Sequence, residues 1–564
     1  MKPDHTRHHA VWPARLPKSM SAPETTLWSN LDVSARRYPE KTAFVFFDTE
    51  LTFRQLHRAV ESLAGWLRRA AGVVAGDRVP ICFQNSPQLV IAYYAILRCD
   101  AVVVPVNPMN KAAELSHYII DPEAKVAICA SDVADEWIRA NESLSAAQRL
   151  NHLLVARYSD MMTDAALASP TCPISWRPWL TAAPALPDYA TPWRDALDAN
   201  LRAPMSTASA DDLAVLPYTS GTTGLPKGCM HTHRTILHNV IAGAAWGNAT
   251  PEGVSLAVVP MFHITGMLYG LHAPIYLGCT AVIMPRWDRE LAGALISKHR
   301  VNSWTMIPTM IVDLLASPNV DSFDLTSINY IGGGGAAMPQ AVAEKLFVQF
   351  GLRFVEGYGL TETAAPSHSN PPDAPKQQCL GVPYMSTEAR VVNPDTLIEC
   401  DIGEPGEILI HGPQVFKGYW RNESATKAAF VEIEGKQFFR SGDLGRVDED
   451  GYFFIQDRIK RMINASGYKV WPAEVEALLF RHPAIQEACI IAAADTHRGE
   501  TVKAVVVLRT NAKQTTAEEI IQWAHNNMAA YKAPRVVEFV ESLPKSGSGK
   551  VMWRALQERE LSKM

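Results

Sequence analysis

The most informative segment of the chain reads Tyr218-Thr219-Ser220-Gly221-Thr222-Thr223-Gly224-Leu225-Pro226-Lys227-Gly228. It follows a short apolar run, residues 213–216, that is typical of the end of a strand. Glycines let the backbone approach an anion closely, and the N–H groups, hydroxyls and single ammonium group suit a polyphosphate. The Gly-Lys-Ser/Thr ending of the common P-loop is missing from this segment. The pattern predicts a phosphate-binding loop, and an ordinary surface loop is the alternative.

The composition argues against some classes of protein. The chain has 564 residues, which favours several structural units over a single core. Acidic residues exceed basic residues by 58 to 53, giving a formal net charge of −5. The chain as a whole therefore offers no attraction to nucleic acid or anionic lipid, and we expect no nucleic-acid partner.

Cysteine usage and hydropathy indicate the compartment. The nine cysteines include no Cys-x-x-Cys pair, which favours small buried thiols in a reducing environment. The N-terminus has no apolar core of the signal-peptide type. The most apolar stretch, residues 89–106, is interrupted by Arg98 and Asp100, so it does not predict a transmembrane segment. We expect a cytoplasmic protein.

Helical and strand-like patterns alternate through most of the chain. Apolar residues recur at helical spacing over residues 56–67, and residues 101–106 form a continuous apolar run. This alternation predicts an α/β fold with mostly parallel sheets that are covered by helices on both faces. Residues 1–25 are polar and contain Pro and His, so we expect them to be poorly ordered.

The sequence pattern changes in the last third of the chain. Short strands with frequent turns, such as residues 406–410 and 451–455, favour a small β-barrel or antiparallel sheet. Helix and strand patterns then alternate again in what reads as a compact α+β unit. The sequence thus predicts a large N-terminal domain, residues 1–457, and a small C-terminal domain, residues 458–564.

A second chemical segment reads Gly357-Tyr358-Gly359-Leu360-Thr361-Glu362-Thr363. Two glycines around a tyrosine give a tight turn with a flat aromatic face that can stack on a purine. Thr361 can donate to a phosphate oxygen, and Glu362 is a hard oxygen ligand suited to Mg²⁺. The alternative is a strand-to-helix turn with a capping threonine and a glutamate in the first turn.

Three further segments have ordinary structural interpretations when each is taken alone. Asp443, within Ser441-Gly442-Asp443-Leu444-Gly445, has the pattern of an Asx-turn. His263 stands among apolar residues, which is typical of a histidine in a protein core. The tail, residues 543–550, is typical of a frayed basic terminus.

Taken together, the five segments resemble the adenylate-forming enzymes, the superfamily of acyl-CoA synthetases, firefly luciferase and peptide-synthetase adenylation domains. They occur in family order along the chain. The resemblance implies an ATP-dependent acyl-CoA synthetase that uses ATP, Mg²⁺ and CoA. Residues 357–372 and 465–476 look most like bacterial fatty-acid–CoA ligases, which puts medium- or long-chain fatty acids first and aryl or arylalkanoic acids second.

The resemblance also implies a nucleotide site. Its implied ATP- and AMP-binding residues are Thr219, Ser220, Gly221, Thr222, Thr223, Gly224, Lys227, Gly335, Ala336, Gly357, Tyr358, Gly359, Thr361, Asp443, Arg458 and Lys550. Among them Gly335 and Ala336 would lie against the adenine, within one residue of register in a run of four glycines. Asp443 would accept both ribose hydroxyls, since a carboxylate suits a vicinal diol.

Four residues acquire catalytic roles by the same resemblance: Lys550, Thr361, Glu362 and His263. Lys550 would contact the carboxylate and the α-phosphate as charge builds on the bridging oxygens, and Lys545 is its nearest rival. Glu362 would hold Mg²⁺. His263 would seat the acid, and the implied wall of the acyl pocket consists of His263, Ile264, Met267 and Trp304.

The small domain of this superfamily turns between two half-reactions. Lys460 falls at the position of the hinge, and Ser466, Gly467 and Lys469 fall in the implied CoA tunnel. Luciferase-like members have a lysine where this chain has Asn464, so a second-step lysine is not available there.

Two other functions stay open at this stage. One is a stand-alone adenylating enzyme that loads an acyl carrier protein, and the other is a non-catalytic nucleotide- or acyl-adenylate-binding protein. The sequence is also compatible with a homodimer.

Overall fold

The computed structural model describes residues 5–219, 225–335, 338–458, 461–465, 468–495, 499–512, 514–545 and 551–562. The chain divides into two compact units. The large unit comprises residues 6–388 and 410–439, and the small unit comprises residues 389–409 and 440–564 together with His5.

The chain up to residue 388 alternates between helices and strands. Its strands are β1 (Thr42–Phe46), β2 (Thr49–Thr52), β3 (Arg78–Cys82), β4 (Val102–Pro105), β5 (Val126–Ala130), β6 (His152–Ala156), β7 (Ala190–Pro192), β8 (Leu213–Val215), β9 (Tyr218–Thr219), β10 (Lys227–Gly228), β11 (His231–Thr232), β12 (Val254–Ala257), β13 (Thr280–Ile283), β14 (Ser303–Met306), β15 (Tyr330–Gly334), β16 (Phe354–Leu360), β17 (Ala365–Ser369) and β18 (Val382–Pro383). Its helices are α1 (Leu27–Arg37), α2 (Phe53–Arg69), α3 (Pro87–Arg98), α4 (Ala112–Ile120), α5 (Ala134–Glu142), α6 (Asp164–Ala168), α7 (Arg177–Leu180), α8 (Trp193–Asp198), α9 (His233–Trp246), α10 (Ile264–Gly266), α11 (Ala273–Leu277), α12 (Arg289–His299), α13 (Pro308–Leu315) and α14 (Gln340–Phe350).

Strands dominate the rest of the chain. They are β19 (Glu388–Val392), β20 (Gly406–His411), β21 (Phe430–Ile433), β22 (Lys436–Val447), β23 (Phe453–Arg458), β24 (Ile463–Ala465), β25 (Tyr468–Val470), β26 (Ile485–Asp495), β27 (Gly499–Leu508) and β28 (Val536–Phe539). The helices are α15 (Glu423–Ala428), α16 (Pro472–Leu479), α17 (Ala517–Asn527) and α18 (Trp553–Leu561).

Two large sheets form the core of the large unit. One has nine strands in the order β18-β17-β16-β15-β14-β12-β13-β1-β2, and the other has seven in the order β11-β8-β4-β3-β5-β6-β7. Neighbours from β16 through β14, β12 and β13 to β1 are all parallel. Such strands need crossover connections, which the helices between them supply. The predicted α/β fold with parallel sheets and a smaller C-terminal part is confirmed.

Local chemistry explains where the helices begin. The Thr52 hydroxyl accepts the backbone N–H of Gln55, and the Gln55 side chain accepts the backbone N–H of Thr52. This capping box starts α2 at Phe53, and the predicted helical stripe, residues 56–67, packs into the core. Next in the chain α3 is buried over almost its whole length, which its apolar composition requires.

The small unit has its own sheet and core. Its strands run in the order β25-β24-β27-β26, and β28 pairs in parallel with β27. Apolar residues such as Val475, Ile490 and Val506 are fully buried beneath the helices. Lys503 lies in the centre of β27 and is 4% exposed, and its ammonium group is paired with Glu538 and Glu560 at 2.6 Å each.

Residues 7–15 make defined contacts with the rest of the large unit. Residues 7–10 form a 3₁₀ turn, and the ring of Trp12 lies 5.0 Å from that of Trp246 in a T-shaped pair. The Arg15 guanidinium donates to the carbonyl oxygens of Ala245 and Trp246. These partners lie more than 200 residues away in the chain, so composition near the N-terminus could not reveal them.

Across the described ranges, no helix is both long and apolar enough to cross a membrane.

Four buried histidines make the stability of the large unit depend on pH. Burial lowers the pKa of His231 and His233 to about 4 and that of His272 and His368 to about 3. Between pH 6.5 and 4 the unfolded chain binds protons that the folded chain does not, so stability falls as pH falls. Each unit of pKa difference corresponds to about 1.4 kcal/mol.

We therefore expect the urea midpoint to drop between pH 7 and pH 5. The variant His272→Asn should show a shallower drop, because asparagine does not titrate. Asparagine also keeps an acceptor for the Tyr94 hydroxyl, which lies 2.9 Å from His272 Nδ1. A midpoint that is constant or rises over this range would contradict the assignment.

Candidate active site

The predicted phosphate-binding loop is the connection of a short hairpin. Strand β9 pairs with β10 in antiparallel register, Thr219 opposite Lys227. The hairpin is fixed from the side, because the Tyr218 hydroxyl donates to Asp121 Oδ2 at 2.5 Å and His117 Nε2 donates to the Pro226 carbonyl at 2.8 Å. The two ends of the loop are thus held by α4 and the residue that follows it.

Two residues from different predicted segments meet at one aromatic ring. The Lys227 ammonium lies 4.6 Å from the centre of the Tyr419 ring, a cation–π contact. The hydroxyl of the same tyrosine donates to Glu362 Oε1 at 2.9 Å. Burial, followed by the charge of Glu362, raises the pKa of Tyr419 well above its usual value, so its hydroxyl stays a donor. Tyr419 lies almost 60 residues beyond Glu362 in the chain and was not among the sequence-predicted residues.

The backbone around Glu362 is fixed on both sides. His231 Nε2 donates to the Thr361 carbonyl at 2.7 Å, and burial lowers the pKa of this histidine to about 4, so the ring is neutral near pH 7. The Phe416 N–H donates to the Glu362 carbonyl at 2.8 Å. The main chain of Thr361 and Glu362 is therefore held while their side chains stay half-exposed.

A strained bend of the backbone follows directly after Thr363. Ala364 and Ala365 have φ angles of 50° and 71°, in the region that non-glycine residues rarely adopt. Gly359 packs beneath the bend, since a Cβ there would lie 1.8 Å from the Ala365 carbonyl oxygen. The Asn239 amide, fully buried on α9, donates towards the carbonyls of Thr363, Ala364 and Pro366 at 2.7–3.1 Å. Several polar residues lie on α9, so the sequence does not single out Asn239 for this role.

The glycine run lies at the end of β15, where neighbouring backbones come very close. A Cβ on Gly333 would lie 1.8 Å from the Met306 carbonyl oxygen, and one on Gly334 would lie 2.2 Å from that of Gly357. These two positions must be glycine for β14, β15 and β16 to pair. Gly335 has a φ of +85°, which ends the strand.

A buried carboxylate holds the segments around the glycine run. Glu356, on β16, accepts the backbone N–H groups of Met338 and Cys379, each at 2.8 Å. Burial raises the pKa of Glu356. This residue was also missed, because a glutamate before Gly357 has no distinctive sequence pattern.

A cavity opens beside the predicted acid-binding histidine. His263 precedes α10 and is half-buried. Thr265 and Gly266, just after it, line a cavity of about 270 Å³ together with Gly243, Tyr269 and Tyr330. The α10 helix continues as a π-helix, residues 267–272, which widens the turn where the cavity passes.

Three residues of the predicted acyl pocket lie elsewhere in the core. Ile264 and Met267 are buried, and the Met267 sulfur accepts the Tyr93 hydroxyl at 3.2 Å. Trp304 stacks on Trp287 with ring centres 5.7 Å apart. Neither these three residues nor His263 is among the residues that line the cavity, and the role of all four in acid binding stays a prediction.

In the small unit, the two residues predicted to bind ribose form an ion pair. Asp443 on β22 and Arg458 on β23 are register partners, and Arg458 Nε lies 3.0 Å from Asp443 Oδ1. The Asp443 side chain is almost fully buried, whereas that of Arg458 is half-exposed. The rival lysine, Lys545, is paired with Glu487 at 2.8 Å.

Several predicted residues lie outside the described part of the chain: Ser220, Gly221, Thr222, Thr223, Gly224, Ala336, Lys460, Ser466, Gly467 and Lys550. Lys469 lies in β25, where only its backbone is described.

The site suits Mg²⁺ bound through few protein ligands. Within the described ranges no group of three or more His, Cys, Asp or Glu side chains could hold a metal ion. Mg²⁺ usually takes one or two carboxylates with waters and substrate phosphates, so the half-exposed Glu362 fits it.

The comparisons with known proteins agree along the whole chain. The AMP-binding enzyme family matches residues 31–420, and the AMP-binding enzyme C-terminal domain matches residues 474–550. A long-chain-fatty-acid–CoA ligase of Bacillus subtilis strain 168 is 35% identical, covering 98% of this chain and 97% of that protein. A feruloyl-CoA synthase of Amycolatopsis is 33% identical, covering 92% and 96%. The crystal structure of ATP-bound MatB from Rhodopseudomonas palustris is 27% identical with a TM-score of 0.80, covering 95% and 99%.

The parallel sheets, the β9–β10 hairpin and the shared contact of Lys227 and Glu362 with Tyr419 fit the class of nucleotide-dependent α/β enzymes. The chain belongs to the AMP-binding enzyme family, within the adenylate-forming superfamily. It is an AMP-forming acid–thiol ligase that makes acyl-CoA with ATP, Mg²⁺ and CoA.

We expect Asn239→Ala to destabilise the large unit by about 2–4 kcal/mol, because buried carbonyls of the strained bend lose their donor. Urea unfolding at pH 7 measures the change. Asn526→Ala, an exposed helix position, is the control and should stay within about 0.5 kcal/mol of the parent. Equal stabilities of the two variants would show that Asn239 does not hold the bend.

Proposed function

We propose that this enzyme activates a medium- or long-chain aliphatic acid, with aryl or arylalkanoic acids as the second class, and transfers it to CoA. The observation that supports the proposal is the cavity that Thr265 and Gly266 line, close to His263 in the chain. Its volume of about 270 Å³ is close to the lower end of the roughly 300–1,000 Å³ typical of small-molecule sites. The fatty-acid and feruloyl specificities of the two relatives support the same order of preference.

The first half-reaction forms acyl-AMP. A carboxylate is a poor electrophile, since attack on it adds negative charge to an anion, and a mixed anhydride with AMP removes this obstacle. The acid carboxylate, seated by His263, attacks the α-phosphate of ATP and pyrophosphate leaves. Lys227 and the loop between β9 and β10 hold the leaving phosphates, and Lys550 offsets charge on the bridging oxygens.

Glu362 and Thr361 complete that step. Mg²⁺ bound at Glu362 supplies positive charge beside the phosphates. The bond from Tyr419 orients the Glu362 carboxylate, and the Thr361 hydroxyl donates to a phosphate oxygen. In the small unit, Asp443 and Arg458 bind the ribose hydroxyls.

The second half-reaction transfers the acyl group to the CoA thiol. We propose that the small domain, residues 458–564, turns about Lys460 between the two steps. Ser466, Gly467 and Lys469 then line the passage of the thiol. Gly467 suits this place because a side chain there would block the passage.

We also propose that the protein works in the cytoplasm and forms a homodimer. Light scattering on the purified protein tests the second part, and a monomer at all concentrations would exclude it.

The activity test measures pyrophosphate release with a panel of acids, followed by thioester formation with CoA and, separately, with an acyl carrier protein. We expect release only when an acid is present, and thioester only with CoA. Cleavage of ATP that does not depend on any acid would contradict the proposed reaction.

Two variants separate the half-reactions. Lys550→Ala should abolish adenylate formation, by about 100-fold or more, yet spare thioester formation from supplied acyl-AMP. Gly467→Trp should do the reverse, because it leaves the first step intact and blocks the thiol. If both variants fail equally in each half-reaction, the domain rotation proposed here does not occur.

A further inference from the structure

Three neighbouring strands place hydroxyl groups on one face of the nine-stranded sheet. Ser255 on β12 is the register partner of Ser303 on β14, which is in turn the partner of Tyr330 on β15. Thr305 lies two residues further along β14 and on the same face as Ser303, because side chains alternate along a strand. All four residues line the cavity. The floor of the cavity is therefore hydroxylated.

The same alternation explains why Trp304 is not part of this floor. Trp304 and Met306 lie on the opposite face of β14, where both are buried, whereas Ser303 and Thr305 are half-buried. The strand thus turns its large apolar side chains away from the cavity and its two hydroxyls towards it.

The hydroxyl groups that a ligand can reach are those of Ser303 and Thr305, which are half-buried on the cavity side of β14. The Ser255 oxygen, in contrast, is fully buried and closed to the cavity. An alkyl chain packed against the two reachable hydroxyls would leave them unpaired, which costs free energy. A ligand group that donates or accepts a hydrogen bond removes that cost.

The rest of the wall leaves room for such a group. Gly247 and Gly270 line the cavity without side chains, and Thr265 adds a further hydroxyl. At the end of the cavity away from His263, Asn302 and Asn329 also line the wall. Polar groups therefore follow the cavity from Thr265 to its far end.

We propose that the preferred acid carries a hydroxyl or carbonyl oxygen along its acyl part, so that the enzyme is specific for oxygenated acids over unsubstituted acids of equal length. This inference rests on the proposed function of the same site. Thr305 serves an oxygen nearer the carboxylate, and Ser303 serves one about 7 Å deeper, which is two residues along a strand.

The test compares acids in matched pairs. Straight-chain acids of equal length, with and without a hydroxyl at successive carbons, and phenylpropenoic acids, with and without a ring hydroxyl, are assayed by pyrophosphate release. We expect kcat/KM to be roughly tenfold higher for the best hydroxylated member, mainly through a lower KM.

Variants locate the contact. Ser303→Ala should remove most of the preference for acids whose hydroxyl lies deep in the cavity. Thr305→Val should reduce only the preference for acids whose hydroxyl lies nearer the carboxylate. Ser297→Ala is the control, because this serine lies on α12, donates to the Gly293 carbonyl and is not among the cavity-lining residues. Its acid profile should equal that of the parent enzyme.

The outcomes distinguish the two proposals. The inference is overturned if unsubstituted acids give as much pyrophosphate release as their hydroxylated partners, or more. That result leaves the proposed function intact. A preference that survives both Ser303→Ala and Thr305→Val overturns the assignment of the floor. No acid-dependent release with any acid overturns the proposed function and this inference together.

Discussion

The bend at Ala364 and Ala365 is the constraint on which the nucleotide site depends. Two non-glycine residues at positive φ are costly, and each such residue persists only where its surroundings hold it. Here the Asn239 amide satisfies the carbonyls of the bend, and the absence of a side chain at Gly359 gives it space. Because the bend begins directly after Thr363, it sets the direction in which Thr361 and Glu362 leave β16.

The bonds to Glu362 build on that backbone. His231 and Phe416 hold the main chain, and Tyr419 holds one carboxylate oxygen. These partners come from two parts of the chain that are both distant from Glu362, so the site is assembled by the fold rather than by one motif. In the proposed reaction, a carboxylate held in this way needs no rearrangement when charge develops at the phosphates.

Residues within motifs could be predicted from the sequence, and their partners could not. The helical stripe over residues 56–67 and the parallel α/β order follow patterns that local spacing makes visible. Tyr419 and Asn239 act through contacts with residues 57 or more positions away, and no local pattern encodes such a distance. Trp304 shows a different limit, because a sequence shows that a strand is apolar and does not show which of its faces meets the cavity.

The packing of Gly243 against Tyr269 makes the shape of the cavity sensitive to a side chain at position 243. A Cβ at position 243 would lie 2.9 Å from Tyr269 Cε1, so even a methyl group would push the ring sideways. The ring borders the cavity, whereas the phosphate hairpin and Glu362 do not. With the cavity as the proposed acid site, the substitution Gly243→Ala would change which acids fit and would leave the surroundings of Lys227 and Glu362 unaltered.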